Sequence, residues 1–258
     1  YITDFEYEPG ENSVAELVFE GVDACFYVWV NGTFVGYSES SHAISIFDIS
    51  NVVKNGKNRL AVLNLKWCTG TYFEIQDKWR MTGIFRDVYI LKRPSFRLKD
   101  FYTRQSISED YKNAVLQVEL LSEGEALHGQ KKAVLKLLNK EGEIVDQAEW
   151  KDGDTSQLSV KEPDLWTAET PDLYTLLIEL PGEVIAQKIG FRIVSVEQGV
   201  IKINGKRIRI KGMNRHDTDA KTGYAVDREH IIRDLRLMKQ NNINAIRTSH
   251  YQNSPLVI

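Results

Sequence analysis

The chain has 258 residues, 42% of them apolar, which is enough to bury a sizeable core in one large domain or in two to three small ones. Its 33 lysines and arginines nearly balance 36 aspartates and glutamates, so no broad field draws it to nucleic acid or to an anionic membrane, and partners must be recognised at sites. No apolar run reaches the ~18 residues of a membrane span, and Tyr1 opens into strand-like sequence rather than a leader.

The expected location is cytoplasmic, and the missing initiator methionine leads us to expect a cut chain. Cys25 and Cys68 lie in apolar runs without metal-ligand spacing and are expected as reduced, buried thiols. In chain order, residues 14–20, 25–30 and 33–37 are apolar, aromatic and β-branched. Asn31-Gly32 between the last two supplies the positive φ angles of a tight hairpin. Further strands are predicted at 44–49, 59–66 and 88–92, and together they read as an antiparallel sandwich. Residues 69–83 form a long loop rich in aromatic and charged side chains, more typical of a binding loop than of a connector. Arg93-Pro94 closes the unit, because proline disfavours helix before it and ends a strand ladder.

From residue 95 the strand period continues at 114–121, 133–138 and 174–180, with turns at Lys140-Glu141-Gly142 and Pro181-Gly182. About 100 residues at this spacing predict an immunoglobulin-like sandwich without its cysteine pair, serving as a spacer. The pattern then changes. Asn204-Gly205 is a hairpin turn, residues 207–213 read as a strand, and a polar stretch follows to 226. Residues 228–240 carry Ile231, Leu235 and Met238 on one stripe, an amphipathic helix with Asp227 as its N-cap. Asn241-Asn242 breaks the helix, 243–248 gives a second strand, and Pro255 opens another helix. This is one βαβ unit, expected right-handed and parallel. Functional side chains then belong at the strands' C-terminal ends, where His216 and the group Arg247, Ser249 and His250 fall.

Four stretches carry a resemblance: Phe26-Tyr27-Val28-Trp29-Val30-Asn31-Gly32; Gln76-Asp77-Lys78-Trp79-Arg80-Met81-Thr82-Gly83-Ile84-Phe85-Arg86-Asp87-Val88; Asn214-Arg215-His216; and residues 238–251, ending Arg247-Thr248-Ser249-His250-Tyr251. In order and across the whole chain, they resemble the large bacterial beta-galactosidases of glycoside hydrolase family 2. The resemblance implies a jelly-roll sugar-binding-type domain at 1–94 whose N-terminal strands are missing, an immunoglobulin-like sandwich at 95–195, and the truncated start of a (β/α)8 TIM barrel at 196–258. It also implies hydrolysis of terminal β-galactosides with retention, by one glutamate as acid/base and another as nucleophile about 5 Å apart. Both glutamates, and the magnesium site beside the acid, belong to later barrel strands, so the chain alone is expected to be inactive. Glu74, Asp77, Asp217 and Asp219 do not occupy the family's acid or nucleophile positions, and Glu74, Asp217 and Asp219 are expected as solvated loop carboxylates.

Asp77 matches the family aspartate that touches a sodium ion and the galactose 6-hydroxyl, roles that suit an oxygen donor and an anionic acceptor. On residue type alone it serves equally as an ion-pair partner of Arg80 or Arg86. His216 and His250 match histidines that bind substrate hydroxyls, since imidazole donates from one nitrogen and accepts at the other. Arg247 matches an arginine near the nucleophile, where its charge favours the anion; an ordinary ion pair is the alternative. Trp29 and Trp79 are expected in the core rather than as sugar platforms, and Arg80, Arg86 and Asp87 as an ion-pair network fastening the loop to the barrel. The expected partners are a β-galactoside and the rest of the barrel or a partner chain, with a homo-oligomer when complete. A carbohydrate-binding fragment and a structural or oligomer-forming fragment are the other two readings.

Overall fold

Strands dominate the computed structural model, which describes residues 1–11, 13–74, 76–126 and 131–257. In chain order they are β1 (Ile2–Tyr7), β2 (Ser13–Phe19), β3 (Val22–Asp23), β4 (Cys25–Val30), β5 (Thr33–Ser38), β6 (Ser45–Asp48) and β7 (Gly56–Leu65). A short helix α1 (Thr69–Phe73) precedes β8 (Gly83–Ile84) and β9 (Val88–Pro94). Then come β10 (Arg97–Ile107), β11 (Asn113–Glu123), β12 (Lys132–Leu138), β13 (Ile144–Lys151), β14 (Thr155–Lys161), β15 (Tyr174–Leu180) and β16 (Glu183–Ile189). The hairpins β17 (Val194–Glu197), β18 (Val200–Ile203) and β19 (Lys206–Arg207) lead to β20 (Gly212–Arg215), α2 (Arg228–Gln240) and β21 (Ala245–Thr248).

Two units form, Tyr1–Lys92 with Ile210–Ile258, and Arg93–Arg209. In the first, the sheets β1-β7-β4-β5 and β6-β2-β9 enclose one core. The two-residue period of β4 explains it: Phe26, Val28 and Val30 turn inward and are buried, while Tyr27 and Trp29 turn outward. Phe19, Phe26 and Phe47 meet with ring centroids 4.8–6.0 Å apart, and each fully buried large apolar side chain contributes roughly 1.5–3 kcal/mol. Asn31 and Gly32 adopt φ of 53° and 81° in the β4–β5 hairpin, as a two-residue turn of this kind requires.

In the second unit the sheets β10-β11-β14 and β13-β12-β15-β16 close on Leu116, Leu135, Leu137, Leu158, Leu176 and Ile178. Trp150 lies fully buried among them, and its Nε1 donates to the Asp154 carbonyl at 2.8 Å, so its one polar atom is satisfied. The small sheet β17-β18-β19 belongs to this unit, with Asn204-Gly205 forming its second turn.

The strand expected at 207–213 is divided. Lys206 and Arg207 pair back onto β18, and the barrel-like strand starts only at Gly212. From there β20 runs parallel to β21 in the register Gly212↔Ala245 to Arg215↔Thr248, joined by α2. Asp227 caps α2 by accepting from the His230 N–H at 2.8 Å. Pro255 starts a 3-10 turn, Pro255–Val257, in place of a longer helix.

Candidate functional site

His216 follows the last residue of β20, and His250 lies two residues beyond β21, so a parallel pair in register delivers both rings to one end. Their centroids are 5.6 Å apart and nearly perpendicular. The loop of the first sandwich reaches the same place: Asp77 Oδ2 lies 3.5 Å from His250 Nε2, with the carboxylate side chain 85% exposed. Gln76 and Asp77 both have positive φ, 35° and 50°, a conformation that costs a non-glycine residue about 1–2 kcal/mol and persists only where neighbours hold it. Beside this group is a cleft of about 400 Å³ lined by Ser40, His42, Glu74, Gln76, His250 and Tyr251, among others. Arg247, the fourth candidate, is exposed on β21, in register with Asn214, and borders a separate depression with Met213 and Ile246. Asp77, His216 and His250 are therefore brought together and Arg247 is not. Ile75, within the same loop, lies outside the described residues.

Several side chains behave differently from the sequence expectation. Asp217 is no solvated carboxylate: its side chain is 2% exposed and it pairs with Arg215 at 2.9 Å and Arg86 at 3.2 Å. It also accepts the Ser254 N–H at 3.0 Å. Burial alone pushes the Arg86 guanidinium below its ordinary value, and Asp217 opposes that push. Arg86 further donates to the carbonyls of Glu20, His42 and Gln252, so it fastens the sandwich to the barrel-like segment. Arg80 is not in that network but lies over the Trp67 ring at 6.0 Å, and Asp87 is exposed. Glu74 accepts from Ser41 and pairs with Lys78 at 3.6 Å, and Asp219 accepts from the N–H groups of Lys221 and Thr222, closing a turn. Neither tryptophan is in the core. Trp79 is 54% exposed, and Trp29 stacks on Tyr27 on the outer face of its sheet.

Sequence reasoning missed the aromatic wall of the site. His42 is buried, its ring stacked on Tyr251 at 4.0 Å and edged by Tyr224 and Phe85. Neither of its nitrogens has a hydrogen-bond partner, and burial, reinforced by the charges of Lys78 and Arg86, drives its pKa far below the ordinary imidazole value. Tyr251 in turn places its hydroxyl 3.4 Å from His216 Nδ1. Lys78, next to Asp77, has a nearly buried ammonium over the faces of Tyr251 and Tyr224 at 5.6 and 6.0 Å. The Tyr224 hydroxyl donates to the Trp79 carbonyl, adding a second tie on the loop. Lys78, Phe85 and Tyr251 fall within the stretches that carry the resemblance, but neither they nor His42 and Tyr224 stand in a periodic pattern, so the wall they build emerges only from the tertiary packing.

Cys25 and Cys68 are both free. Burial and the neighbouring Cys68 push the Cys25 thiol up to about 11. Among the described residues no group of three or more His, Cys, Asp or Glu could hold a metal ion, and no helix is long and apolar enough to cross a membrane.

Three family models match in sequence: the family 2 glycosyl hydrolase sugar-binding domain at residues 4–94, the central family 2 domain at 96–192, and the family 2 TIM barrel domain at 194–258. A beta-galactosidase of Staphylococcus xylosus is 49% identical over 93% of this chain and 24% of its own length. One of Actinobacillus pleuropneumoniae is 48% identical over 93% and 23%. The chain thus spans about a quarter of the length of these curated relatives. Among solved structures, an FMN-binding beta-glucuronidase from Facaelibacterium prausnitzii L2-6 matches all of this chain and 42% of its own with a TM-score of 0.89 at 21% identity. A beta-glucuronidase from Ruminococcus gnavus, in complex with C6-substituted uronic isofagomine, matches all of this chain and 47% of its own with a TM-score of 0.84 at 25% identity. With one family matched in order from residue 4 to residue 258, the chain belongs to the glycosyl hydrolases of family 2.

Proposed function

We propose that this chain is a segment of a retaining beta-galactosidase acting on terminal β-D-galactosides such as lactose, and that it is inactive alone because its residues supply neither the acid/base nor the nucleophile glutamate. The observation that carries the reading is the meeting of Asp77 with His250 beside His216. Each imidazole offers a donor and an acceptor to a sugar hydroxyl, and the exposed Asp77 carboxylate accepts from the 6-hydroxyl. Such groups bind and orient the sugar for two carboxyl groups placed on either side of the glycosidic bond.

Galactoside is favoured over glucuronide by two points. The relatives named beta-galactosidase are identical to this chain at nearly half of the aligned positions, whereas the glucuronidase structures are identical at a quarter or less. An anionic Asp77 beside the sugar's sixth carbon would repel a uronate, while it accepts a hydrogen bond from a hydroxyl. Arg247, away from the cleft, is assigned to the neighbourhood of the nucleophile.

Asp77 also fits one ligand of a sodium ion, as a hard oxygen donor with its carboxylate turned outward. His250 Nε2 is a poor partner for that ion, so the remaining oxygens would come from the rest of the barrel, as would the magnesium site. When bound, sodium would fix the sugar's 6-hydroxyl against Asp77.

A nitrophenyl β-galactoside assay tests the reading. The chain alone is expected to give no turnover, and adding the remainder of the barrel to restore it. Turnover by the chain alone, or none after addition, would count against the proposal. Titration of the chain with galactose, followed at the His216 and His250 ring resonances, separates it from a structural or oligomer-forming role.

A further inference from the structure

Behind the cleft, three oxygen-bearing side chains meet at spacings that fix how many protons they hold. Ser41 is fully buried, and its Oγ lies 2.5 Å from Glu74 Oε2 and 3.0 Å from Asp23 Oδ1. A hydroxyl has one hydrogen and can give it to only one of two carboxylates. The second contact is a hydrogen bond only when a carboxylic acid donates into the hydroxyl's lone pair. With both carboxylates ionised, the buried Asp23 oxygen would face the lone pairs of the fully buried Ser41 Oγ with no hydrogen between them, an arrangement that carries a desolvation cost.

We propose that Asp23 and Ser41 are positioning residues for Asp77, acting through Glu74, and that Asp23 and Glu74 share one proton across Ser41 Oγ. The chain of donors then runs one way. Asp23, as the acid, donates to Ser41 Oγ, and Ser41 donates to the Glu74 carboxylate. The 2.5 Å contact has the length of a hydroxyl bonded to a charged oxygen. The Ser41 N–H adds a bond to Glu74 Oε1 at 3.3 Å. Lys78 Nζ, buried and without a hydrogen-bond partner, lies 3.6 Å from Glu74 Oε2 and favours the negative charge there.

The surroundings agree with this direction. Asp23 is 6% exposed, and burial raises its carboxyl above the ordinary range against the opposing pull of Lys78 and Ser41. The other groups facing it are Glu74 from the loop, Lys66 beyond β7 and Tyr224 from the barrel-like segment. Thr82 and Asn64 donate to its backbone carbonyl, which leaves the carboxyl to Ser41.

The consequence falls on Asp77. Glu74 is the C-cap of α1, Lys78 follows Asp77 directly, and between these two anchors Gln76 and Asp77 hold positive φ. Loss of the shared proton sets the buried Asp23 carboxylate against the half-buried Glu74 carboxylate and loosens one anchor. The sign is fixed: Asp23 holds its proton more tightly in the folded chain than in the unfolded one. The contribution of Asp23 to the anchoring is therefore fully present below the ordinary aspartate range and is lost as pH rises through the raised value.

Amide exchange of residues 69–83, corrected for its intrinsic pH dependence, tests this on the whole chain between about pH 5 and about pH 9. Protection is expected to fall about tenfold or more with rising pH through a single-proton step. In Asp23→Asn, whose amide keeps a donor toward Ser41, protection is expected to stay flat. Carboxyl carbon NMR of the unsubstituted chain counts the proton even if the variant fails to fold, with one of the two carboxyls expected protonated below the step. Protection that ignores pH in the unsubstituted chain, a step that persists in the variant, or two carboxylates ionised throughout overturns the proposal. The proton count stands apart from the galactoside reading, and only its effect on turnover rests on that reading, so the two fail separately.

Discussion

Asp217 ties two cations from different parts of the first unit, and all three side chains are nearly buried. Removing it as Asp217→Ala leaves the buried Arg86 without its carboxylate and Arg215 with Asp234 alone, a loss expected to cost about 3–5 kcal/mol. A lower urea midpoint at unchanged slope is the check. His42 works in the opposite sense, since its two nitrogens lack partners and its ring is already used as an apolar plate against Tyr251. His42→Phe keeps the plate and removes the unpaired atoms, so the variant is expected to be at least as stable at neutral pH. With a depressed folded pKa, the stability His42 contributes is present above about pH 6.5 and lost as pH falls toward the folded value. The variant's urea midpoint should therefore fall less steeply in acid than that of the unsubstituted chain, and a steeper fall would contradict the account. Asp77, His216 and His250 were legible in the sequence because they sit in recognisable motifs. Asp217 and His42 were not, because a carboxylate after a strand and a histidine in a short polar loop look solvated until the sandwich packs over them.

Among elements, α2 was legible to both ends: its apolar stripe gave the helix, and Asp227 and Asn241-Asn242 gave its limits. Asp227→Ala is expected to destabilise the chain by about 1 kcal/mol, with Asp227→Asn close to neutral, as seen in thermal melting. The strands β4, β5 and β15 were equally plain, because a two-residue alternation and an Asn-Gly turn are local signals. What escaped was short or interrupted. α1 has only five residues and no stripe, and its start is marked by a Cys68 cap that no propensity favours. The run at 207–213 is apolar enough for one strand, yet Asn204-Gly205 turns its first residues back onto β18. An apolar pattern reports a strand's composition and says little about which neighbour it pairs with.

At the scale of the molecule, the second unit carries a closed core, whereas the parallel pair β20-β21 has no further strand beside it among the described residues. Ile210, Met213 and Ile246 are 60%, 44% and 37% exposed, side chains that a buried parallel strand covers on both faces. Limited proteolysis is expected to cut between residues 210 and 257 well before it cuts Arg93–Arg209, and equal resistance would argue against an incomplete barrel. Asp77 and the two histidines are proposed to form one galactoside-binding group. The most direct measurement is kcat/KM for a nitrophenyl β-galactoside, in the enzyme completed by the rest of the barrel, with and without Asp77→Asn. The account predicts a loss of about tenfold or more, equivalent to ~1.4 kcal/mol of transition-state stabilisation, together with weaker dependence on sodium. An Asp77→Asn enzyme with unchanged kcat/KM and unchanged sodium dependence would contradict it.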